Sequence, residues 1–315
     1  MKGLELSEQY FAAVGVPMIR KQFPDYEARI ATGLVGMGSE CFGFDDEISR
    51  DHDWGPTFCL WLTAEDYAAI GTALQDAFTK LPTSFGGFGP RRESAWGKGR
   101  TGVFETGQFY KQFIGLDHPP QNLREWRVIP EINLATATNG RVFTDPPGEF
   151  TAFRQRLLEF YPEDVRLKKI ASRCMTVAQA GQYNYPRCIR RREYVAAQWQ
   201  ETKFVSDLIS LAFLLNRRYR PFPKWMHRAL ADLPRLGKTL YELIQRLVTL
   251  HERSTGEALY EGKQQLMEEM CQLVIGELQQ QGLSDAVSDF LLDHGLIVQK
   301  HIQDPQIRAS DVWAE

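Results

Sequence analysis

The spacing of hydrophobic residues divides the chain into two parts. In the first part, short apolar runs alternate with turn signals, and the run FCLWL at 58–62 predicts a buried strand. Thr63, followed by two acids, predicts the N-cap of a helix over AEDYAAIGTALQDAF. GVFETGQFYKQFIG, which begins at Gly102, predicts a strand that runs into a short helix, and RVFTD at 141–145 predicts another strand. Such alternation predicts an N-terminal domain in which helices cover a sheet.

Beyond about Phe150 the apolar residues recur with the helical period instead. Leucines and other apolar residues fall on one helical face in 204–215 and again in 233–250. Turns are predicted at three places, which are YNYPR, RYRPFPK and RSTGE. Strand-like runs are scarce after Asp145. The second part therefore reads as a bundle of helices.

The turn formers Asp145-Pro146-Pro147-Gly148 separate the part with alternating strands and helices from the part with the helical period. We therefore predict an α+β protein with two domains, 1–148 with a mixed sheet and helices, and 149–315 with an α-helical bundle. The segment Glu257–Glu277 is either a bundle helix or a dimer face. If it is a dimer face, the chain forms a homodimer through this segment.

Composition narrows the class of protein. The formal net charge is −3 and the pI is about 6.1, which disfavours a long nucleic-acid channel. No run of eighteen apolar residues occurs, and the N-terminus carries acids where a secretory signal has a basic head, so we expect no membrane association. The five cysteines contain no CxxC pair, which argues against a zinc site or a disulfide framework. We expect a cytoplasmic protein with free thiols.

One short segment is far more acidic than the rest of the chain. Between Asp45 and Asp53, five of nine residues are carboxylates, and Gly38-Ser39 lies just upstream. Like charges at this density repel, so either water screens them on an open loop or a cation neutralises them. For Asp45, Asp46 and Glu47 we expect a solvated turn.

Asp51 and Asp53 suggest a cation site, because they alternate about His52 just before the apolar strand. In an extended segment, residues two apart point to the same side, about 6–7 Å apart at the backbone. Two carboxylates at that spacing suit one or two Mg²⁺ ions, which also bind phosphates. The same alternation places His52 on the opposite, packed face. The glycine and hydroxyl of Gly38-Ser39 are suited to approach a phosphate group closely.

These residues resemble the signature of the nucleotidyltransferase superfamily that includes DNA polymerase beta and the aminoglycoside nucleotidyltransferases. The resemblance is carried by Gly38-Ser39, eleven residues, and then Asp51-His52-Asp53. It implies that Gly38 and Ser39 open a helix that holds the nucleotide's phosphates, and that Asp51 and Asp53 are catalytic ligands of two Mg²⁺ ions.

Longer strings resemble, more narrowly, a largely uncharacterised bacterial family of nucleotidyltransferase-like proteins with a helical C-terminal half. They are GSECFGFDDEISRDHDWGP, NGRVFTDPPGEFTAFRQRLLEFYPEDV and LLNRRYRPFPKW, and they span most of the chain up to about Leu233.

The superfamily also uses a third carboxylate, on a later strand, which helps to bind metal and accepts the proton of the attacking hydroxyl. Spacing does not decide which residue that is here. Glu105, which follows an apolar pair on the strand predicted within GVFETG, is the first choice. Asp145 and Glu131 are the alternatives, although Asp145 is also suited to form the turn before Pro146.

Transfer of a nucleotidyl group needs positive charge near the leaving pyrophosphate. The helical part supplies arginines in RCIRRREY, among them Arg191, and in NRRYRPFPKW. Lys224 is constrained beside Trp225 after two prolines, and the resemblance implies a phosphate-contacting lysine in the helical domain. Tyr219 is suited to stack on a base. We therefore expect Lys224, Arg191 and Tyr219 to bind the nucleotide, although a run of arginines is also typical of a solvated helix face.

Together these features predict an enzyme that uses Mg²⁺ to transfer a nucleoside monophosphate from an NTP, with ATP expected, to a hydroxyl of a small molecule or protein. One alternative is a non-catalytic, nucleotide-binding or regulatory module of the same fold. Another is an antibiotic nucleotidyltransferase of the aminoglycoside type. The acceptor and the preferred base are open.

Overall fold

The structure is a computed structural model that describes residues 1–95 and 97–315. The chain forms two compact units. The first comprises Met1–Gln121 and Ile129–Glu159, and the second comprises Asn122–Val128 and Phe160–Glu315. The domain limits predicted from the sequence, 1–148 and 149–315, thus differ from these units at two short segments.

The first unit combines four strands with helices. In chain order its elements are α1 (Gly3–Tyr10), α2 (Val16–Gln22), β1 (Ala31–Leu34), β2 (Cys59–Leu62), α3 (Ala64–Thr79), β3 (Gly102–Glu105), α4 (Thr106–Ile114), α6 (Glu131–Thr138), β4 (Arg141–Thr144) and α7 (Glu149–Leu158). A π-helical turn, Phe11–Gly15, joins α1 to α2. The helix α5 (Leu123–Val128) belongs to the second unit.

The four strands form one mixed sheet in the order β3-β2-β1-β4. β1 is antiparallel to both β2 and β4, whereas β3 runs parallel to β2. Gly33 lies in β1 where β4 comes closest, since a Cβ there would stand 2.4 Å from the carbonyl oxygen of Arg141. The predicted strands at 58–62 and 141–145 are confirmed within a residue of their ends, and the strand predicted at the start of GVFETGQFYKQFIG is confirmed as β3.

Both faces of the sheet are covered, which explains why β2 is apolar at every position. Leu60 and Leu62 pack with the helical layer that includes Tyr10 and Ile19. After β2, the side chain of Thr63 accepts a hydrogen bond from the backbone N–H of Asp66, so Thr63 caps α3 as predicted.

Aromatic stacking explains why the first unit extends past Gly148. Phe150 of α7 stacks on Trp61 of β2, and Phe153 stacks on Tyr110 of α4, each with ring centroids 3.8 Å apart. The turn at Asp145–Gly148 is present, but α7 after it packs onto the sheet rather than into the helical unit.

The second unit is helical, as predicted, and no strand follows Thr144 in the described residues. Its remaining elements are α8 (Glu163–Val177), α9 (Tyr185–Arg190), α10 (Tyr194–Leu215), α11 (Pro223–Leu230), α12 (Gly237–Thr249), α13 (Gly256–Gln280), α14 (Leu291–Lys300) and α15 (Pro305–Ala309). The α+β class, with a mixed sheet followed by a helical part, is therefore confirmed.

Two local predictions for this unit were wrong. YNYPR is not a turn, because a π-helical segment, Ala178–Asn184, continues α8 into α9 and Pro186 occupies the first turn of α9, where its missing N–H is tolerated. The helix predicted over 233–250 begins only at Gly237, because Leu236 has a left-handed φ of 62°.

Candidate functional site

The Gly-Ser pair and the aspartates lie in one long connection at one end of the sheet. Residues 35–58 link β1 to β2, and the two strands meet at the pair Gly33 and Cys59. Because β3 is parallel to β2, its first residue, Gly102, pairs with Cys59 and so begins at the same end. β4 begins there as well, since Arg141 pairs with Leu34. We call this the acidic end of the sheet.

Gly38 and Ser39 form a turn rather than the first turn of a helix. Backbone bonds run from Phe42 N–H to the Gly38 carbonyl at 3.3 Å and from Phe44 N–H to the Ser39 carbonyl at 2.9 Å. The turn stops at Gly43, which has a left-handed φ of 74°. The helix that the resemblance implied after Gly38-Ser39 is therefore a single irregular turn.

The backbone around Asp51 and Asp53 is not extended, and this expectation was wrong. Asp51 ends a 3₁₀ turn, Ile48–Arg50, with helical φ and ψ, and Asp53 has a left-handed φ of 52°. The two side chains consequently have different surroundings. Asp51 is 64% exposed, and its carboxylate lies 2.8 Å from Nδ1 of His52. His52 is also exposed, so it is not the packed histidine that strand alternation predicted.

Asp53 is buried and faces Ser94, Gly97 and Arg100. Its carboxylate accepts hydrogen bonds from the Ser94 backbone N–H at 2.8 Å and the Ser94 hydroxyl at 2.6 Å. Nη1 of Arg100 donates to Oδ2 of Asp53 at 3.3 Å. Gly97 allows this approach, since a Cβ at that position would stand 1.9 Å from the carboxylate. Asp53 is thus held by polar groups of the chain itself.

These contacts keep Asp53 charged. Burial alone raises the pKa of the Asp53 carboxyl, but the hydrogen bonds from Ser94 and the charges of Arg100 and Arg91 outweigh that effect. The pKa of Asp53 is therefore lowered from its usual value. At neutral pH the group is a carboxylate paired with a guanidinium.

The other buried acids at this end also have partners within the chain. Glu40 pairs with Arg91 at 3.0 Å, and both side chains are almost fully buried. Asp45, which we expected in a solvated turn, is buried and accepts bonds from the Gly3 N–H at 2.8 Å and the Trp54 ring N–H at 3.1 Å. The ammonium of Lys2 lies 3.6 Å from Oδ1 of Asp45.

The structure thereby explains the crowding of negative charge. Lys2, Arg91 and Arg100 neutralise the buried acids, and water screens the exposed ones, which include Asp46, Glu47 and Asp51. Charge neutrality of the segment does not require a bound metal ion. The sequence offered no signal for these pairings, because the cations lie about 40 residues or more away along the chain.

Glu105, the first choice for a third carboxylate, lies at the other end of β3. Glu105 pairs with Leu62, three residues beyond the Gly102 position at the acidic end, which is about 10 Å along a strand. Both of its oxygens accept backbone N–H bonds at 2.7 Å, from Gly107 and Gln108, so Glu105 caps α4.

Asp145, one of the two alternatives, is not at the acidic end either. Asp145 follows Thr144, at the far end of β4, and its oxygens accept bonds from the N–H groups of Gly148 and Thr151. It is the turn former that the sequence suggested. Glu131 is the first residue of α6, whose last residue is seven positions, or about 10 Å, further along the helix. Neither Glu105 nor Asp145 is brought together with Asp51 and Asp53, and Glu131 as the third carboxylate stays a prediction.

The predicted nucleotide-binding residues of the helical part lie in the second unit. Lys224 is exposed in α11, with its ammonium 4.3 Å from the centre of the Trp225 ring. Arg191 is exposed at the end of α9. Tyr219 is stacked on Phe160, with ring centroids 4.7 Å apart, so one face of its ring is already covered. Their role with a nucleotide stays a prediction.

A magnesium–nucleotide complex is compatible with the donors at the acidic end. Across residues 1–95 and 97–315, no three Asp, Glu, His or Cys side chains converge closely enough to hold a metal ion. Mg²⁺, however, usually keeps several waters and binds through one or two carboxylates plus phosphate oxygens. Asp51 offers an exposed carboxylate, and Asp53 is charged but carries Arg100 as its counter-ion. These carboxylates therefore fit a magnesium–nucleotide complex in which Mg²⁺ takes the place of Arg100 beside Asp53.

The first unit contains a cleft that lies away from Asp53. A cleft of about 590 Å³ in the first unit is lined by Thr32 of β1 and Thr144 of β4 among others. Thr144 is at the far end of β4, so this cleft lies away from Asp53. A triphosphate at the acidic end would therefore not occupy that cleft.

Comparison with known proteins gives one family match and one structural match. The family described as "Domain of unknown function (DUF4037)" matches residues 126–226, about a third of the chain. No curated protein matches the sequence.

None of the described helices combines the length and the apolar character needed to span a membrane.

The structural match is a crystal structure described as a nucleotidyltransferase-like protein from Exiguobacterium sibiricum 255-15. It is 13% identical to this chain, with a TM-score of 0.38, and the alignment covers 85% of this chain and 77% of that one. Similarity at this level assigns neither an activity nor site residues to the chain.

Proposed function

We propose that the protein transfers a nucleoside monophosphate from an NTP, with ATP expected, to a hydroxyl of a small molecule or a protein. The observation that supports the proposal is that two kinds of group belong to one connection of the sheet. Carboxylates suited to Mg²⁺, Asp51 and Asp53, lie in the same connection as the Gly38-Ser39 turn, and guanidinium groups of Arg91 and Arg100 pair with acids of that connection.

Each group has a role in binding a triphosphate. Asp51 and Asp53 would hold Mg²⁺, which when bound neutralises and orients the phosphates for in-line attack. The hydroxyl and N–H of Ser39 would donate to phosphate oxygens, with Gly38 allowing close approach. Arg100 would leave Asp53 and donate to the triphosphate, because a guanidinium matches two phosphate oxygens with parallel hydrogen bonds.

An enzyme also needs a third carboxylate to accept the proton of the attacking hydroxyl. The positions of Glu105 and Asp145 favour a second candidate function. Glu105 and Asp145 lie away from the acidic end and accept backbone N–H bonds there, which leaves Glu131, the first residue of α6, as the remaining alternative. A protein that binds the nucleotide there without a carboxylate to deprotonate the acceptor would be a nucleotide-binding or regulatory module. The two candidates share the binding site and differ in turnover.

A turnover assay with α-³²P-labelled nucleotides tests the proposal. The protein is incubated with ATP, GTP, CTP or UTP and Mg²⁺, against a panel of hydroxyl acceptors that includes aminoglycosides and proteins. We expect label transfer and pyrophosphate release, reduced at least about a hundredfold in Asp51→Asn and Asp53→Asn.

The matched control is Glu47→Gln, which removes an exposed carboxylate from the same connection and should leave turnover unchanged. Nucleotide binding that needs Asp51 and Asp53, without turnover on any acceptor, would favour the regulatory module. Absence of both binding and turnover would reject both candidates. An antibiotic nucleotidyltransferase is indicated only if aminoglycosides are the acceptors that take the label.

A further inference from the structure

A second surface, in the helical unit, carries charged and aromatic residues that, apart from the predicted nucleotide contact of Arg191, the function proposed above does not use. It is the stretch from the end of α9 to the first two turns of α10, residues 187–199, and we call it the arginine–tryptophan surface. It carries Arg187, Arg190, Arg191 and Arg192 and the exposed aromatic residues Tyr194 and Trp199.

The apolar residues of this surface are unusually exposed. Trp199 is 72% exposed and Val195 is 85% exposed, and they are four positions apart on α10, hence on one face. Tyr194 is half exposed and stacks on Tyr260, with ring centroids 5.4 Å apart. An exposed patch of large apolar side chains on a soluble unit typically marks an interaction site rather than a packing accident.

The positive charge lies at the same place. Arg190, Arg191 and Arg192 are exposed and form no ion pair or side-chain hydrogen bond with the described part of the chain. Arg187 donates to the Tyr183 hydroxyl at 2.7 Å and lies over that ring. The only acid within 187–199 is Glu193. Three guanidinium groups are therefore available to an anionic partner.

A shallow concavity of about 660 Å³ brings charge and rings together. It is lined by Arg192, Glu193, Tyr194, Val195, Ala196 and Trp199. Arg192 lines this concavity because the chain turns sharply at the end of α9. In that turn Arg192 has a left-handed φ of 58°, and the N–H of Glu193 donates to the carbonyl of Cys188 at 3.0 Å. A guanidinium and an indole thus face one small open site.

We propose that the arginine–tryptophan surface binds a short single-stranded nucleic acid. Unpaired bases stack on exposed indole and phenol rings, while guanidinium groups contact the phosphates between them. The site suits a few nucleotides, which agrees with a chain whose net charge of −3 disfavours a long nucleic-acid channel. An acidic peptide would use the guanidinium groups but would not need an exposed tryptophan face.

Fluorescence anisotropy with labelled oligonucleotides tests this proposal directly. The full chain is titrated into U and dT oligomers of about 12 nucleotides at several salt concentrations. We expect binding that weakens with salt, and Trp199→Ala should weaken it by about tenfold, since one base–aromatic stack contributes a factor of about 5–150. The comparison of U with dT shows whether RNA or DNA is preferred.

A separate variant, with its own control, tests how much the arginines contribute to oligonucleotide binding. Changing Arg190, Arg191 and Arg192 together to Gln should lower the slope of log K against log salt by about 2, because each phosphate contact on a single strand contributes about 0.7. The control changes three exposed cations of the same unit, Lys238, Arg246 and Arg253, to Gln and should leave the slope unchanged. Trp313→Ala, at a less exposed tryptophan, is the control for Trp199→Ala.

Two results would overturn the proposal. One is binding that is absent, or that responds to the control variants as strongly as to the site variants. The other is a dimer in sedimentation velocity that Trp199→Ala converts to a monomer without any effect on oligonucleotide binding, which would assign the surface to a second copy of the chain. Circular dichroism melts verify that each variant is folded.

Discussion

At the scale of single residues, the buried charges of the acidic end are matched one to one. Asp53 pairs with Arg100, Glu40 with Arg91, and Asp45 with Lys2 and two N–H donors. Breaking such a pair leaves an uncompensated buried charge, so each partner matters for stability. The same pairing means that a metal ion at Asp53 competes with Arg100.

Arg100→Gln is predicted to change metal and nucleotide binding in opposite directions. Without the guanidinium, Asp53 has no cationic partner, so Mn²⁺, used as a probe for Mg²⁺, should bind the nucleotide-free protein severalfold more tightly. MgATP should bind about tenfold more weakly, because a charge-assisted bond to phosphate contributes about 1.5–3 kcal/mol. Isothermal titration measures both affinities.

Arg92→Gln is the control for this prediction, since Arg92 is an exposed neighbour in the same segment without an ion pair to the described residues. If Arg100→Gln leaves both affinities at the wild-type values, Arg100 neither competes with the metal nor contacts the nucleotide. A parallel loss of both affinities would indicate that the variant disturbs the site as a whole.

At the scale of elements, regular segments were predictable from the sequence and irregular ones were not. β2 and α3 follow from an apolar run and a capping threonine, which are local signals. The connection 35–58 is shaped by partners as distant as Lys2, Arg91 and Arg100, and no local pattern encodes those contacts. The prediction of an extended backbone at Asp51 and Asp53 was therefore wrong.

Helix α8 shows a second element whose polar residues serve long-range packing. The ammonium of Lys168 donates to the Gln299 side chain at 3.0 Å and to the carbonyls of Ser310 and Asp311. The Ser172 hydroxyl donates to the Trp313 carbonyl at 2.9 Å. α8 thus anchors the residues that follow α15 through side chains that a sequence pattern would assign to a solvated face.

Burial, together with the smaller effect of the Arg127 charge, lowers the pKa of Lys168 to about 8. Between this value and the ordinary lysine pKa of about 10.4, the unfolded state binds more protons than the folded state, so this group makes stability rise with pH. Lys168→Met should be less stable than wild type at pH 7, and the gap should widen from pH 8 to pH 10.

Thermal melts of both proteins across that pH range test this prediction. Comparing the two removes contributions from other groups, such as Tyr110 and Tyr185, whose raised pKa values have the opposite effect at high pH. A gap that stays constant, or that narrows as the pH rises, would contradict the assigned pKa of Lys168.

At the scale of the whole molecule, burial of the cysteines separates one thiol from the other four. Cys41, Cys59, Cys174 and Cys271 are buried, and Cys188 is partly exposed. Burial raises the pKa of Cys59 to about 12 and also raises the pKa values of the other three buried thiols. A buried, protonated thiol is a poor nucleophile.

The folded protein should therefore show one fast-reacting thiol with a disulfide reagent such as DTNB, and Cys188→Ser should remove that phase. All five thiols should react once the chain is unfolded. Two or more fast thiols in the native protein would show that one of the buried cysteines is reachable from solvent.

The central claim at this scale is that the connection between β1 and β2 binds a magnesium–nucleotide complex. The most direct measurement is a crystal structure with a non-hydrolysable triphosphate and Mg²⁺. We predict a metal ion on Asp51 and Asp53, phosphates at Ser39, and Arg100 moved from Asp53 to the triphosphate. A nucleotide bound elsewhere, with Asp53 still held by Ser94 and Arg100, would contradict the account.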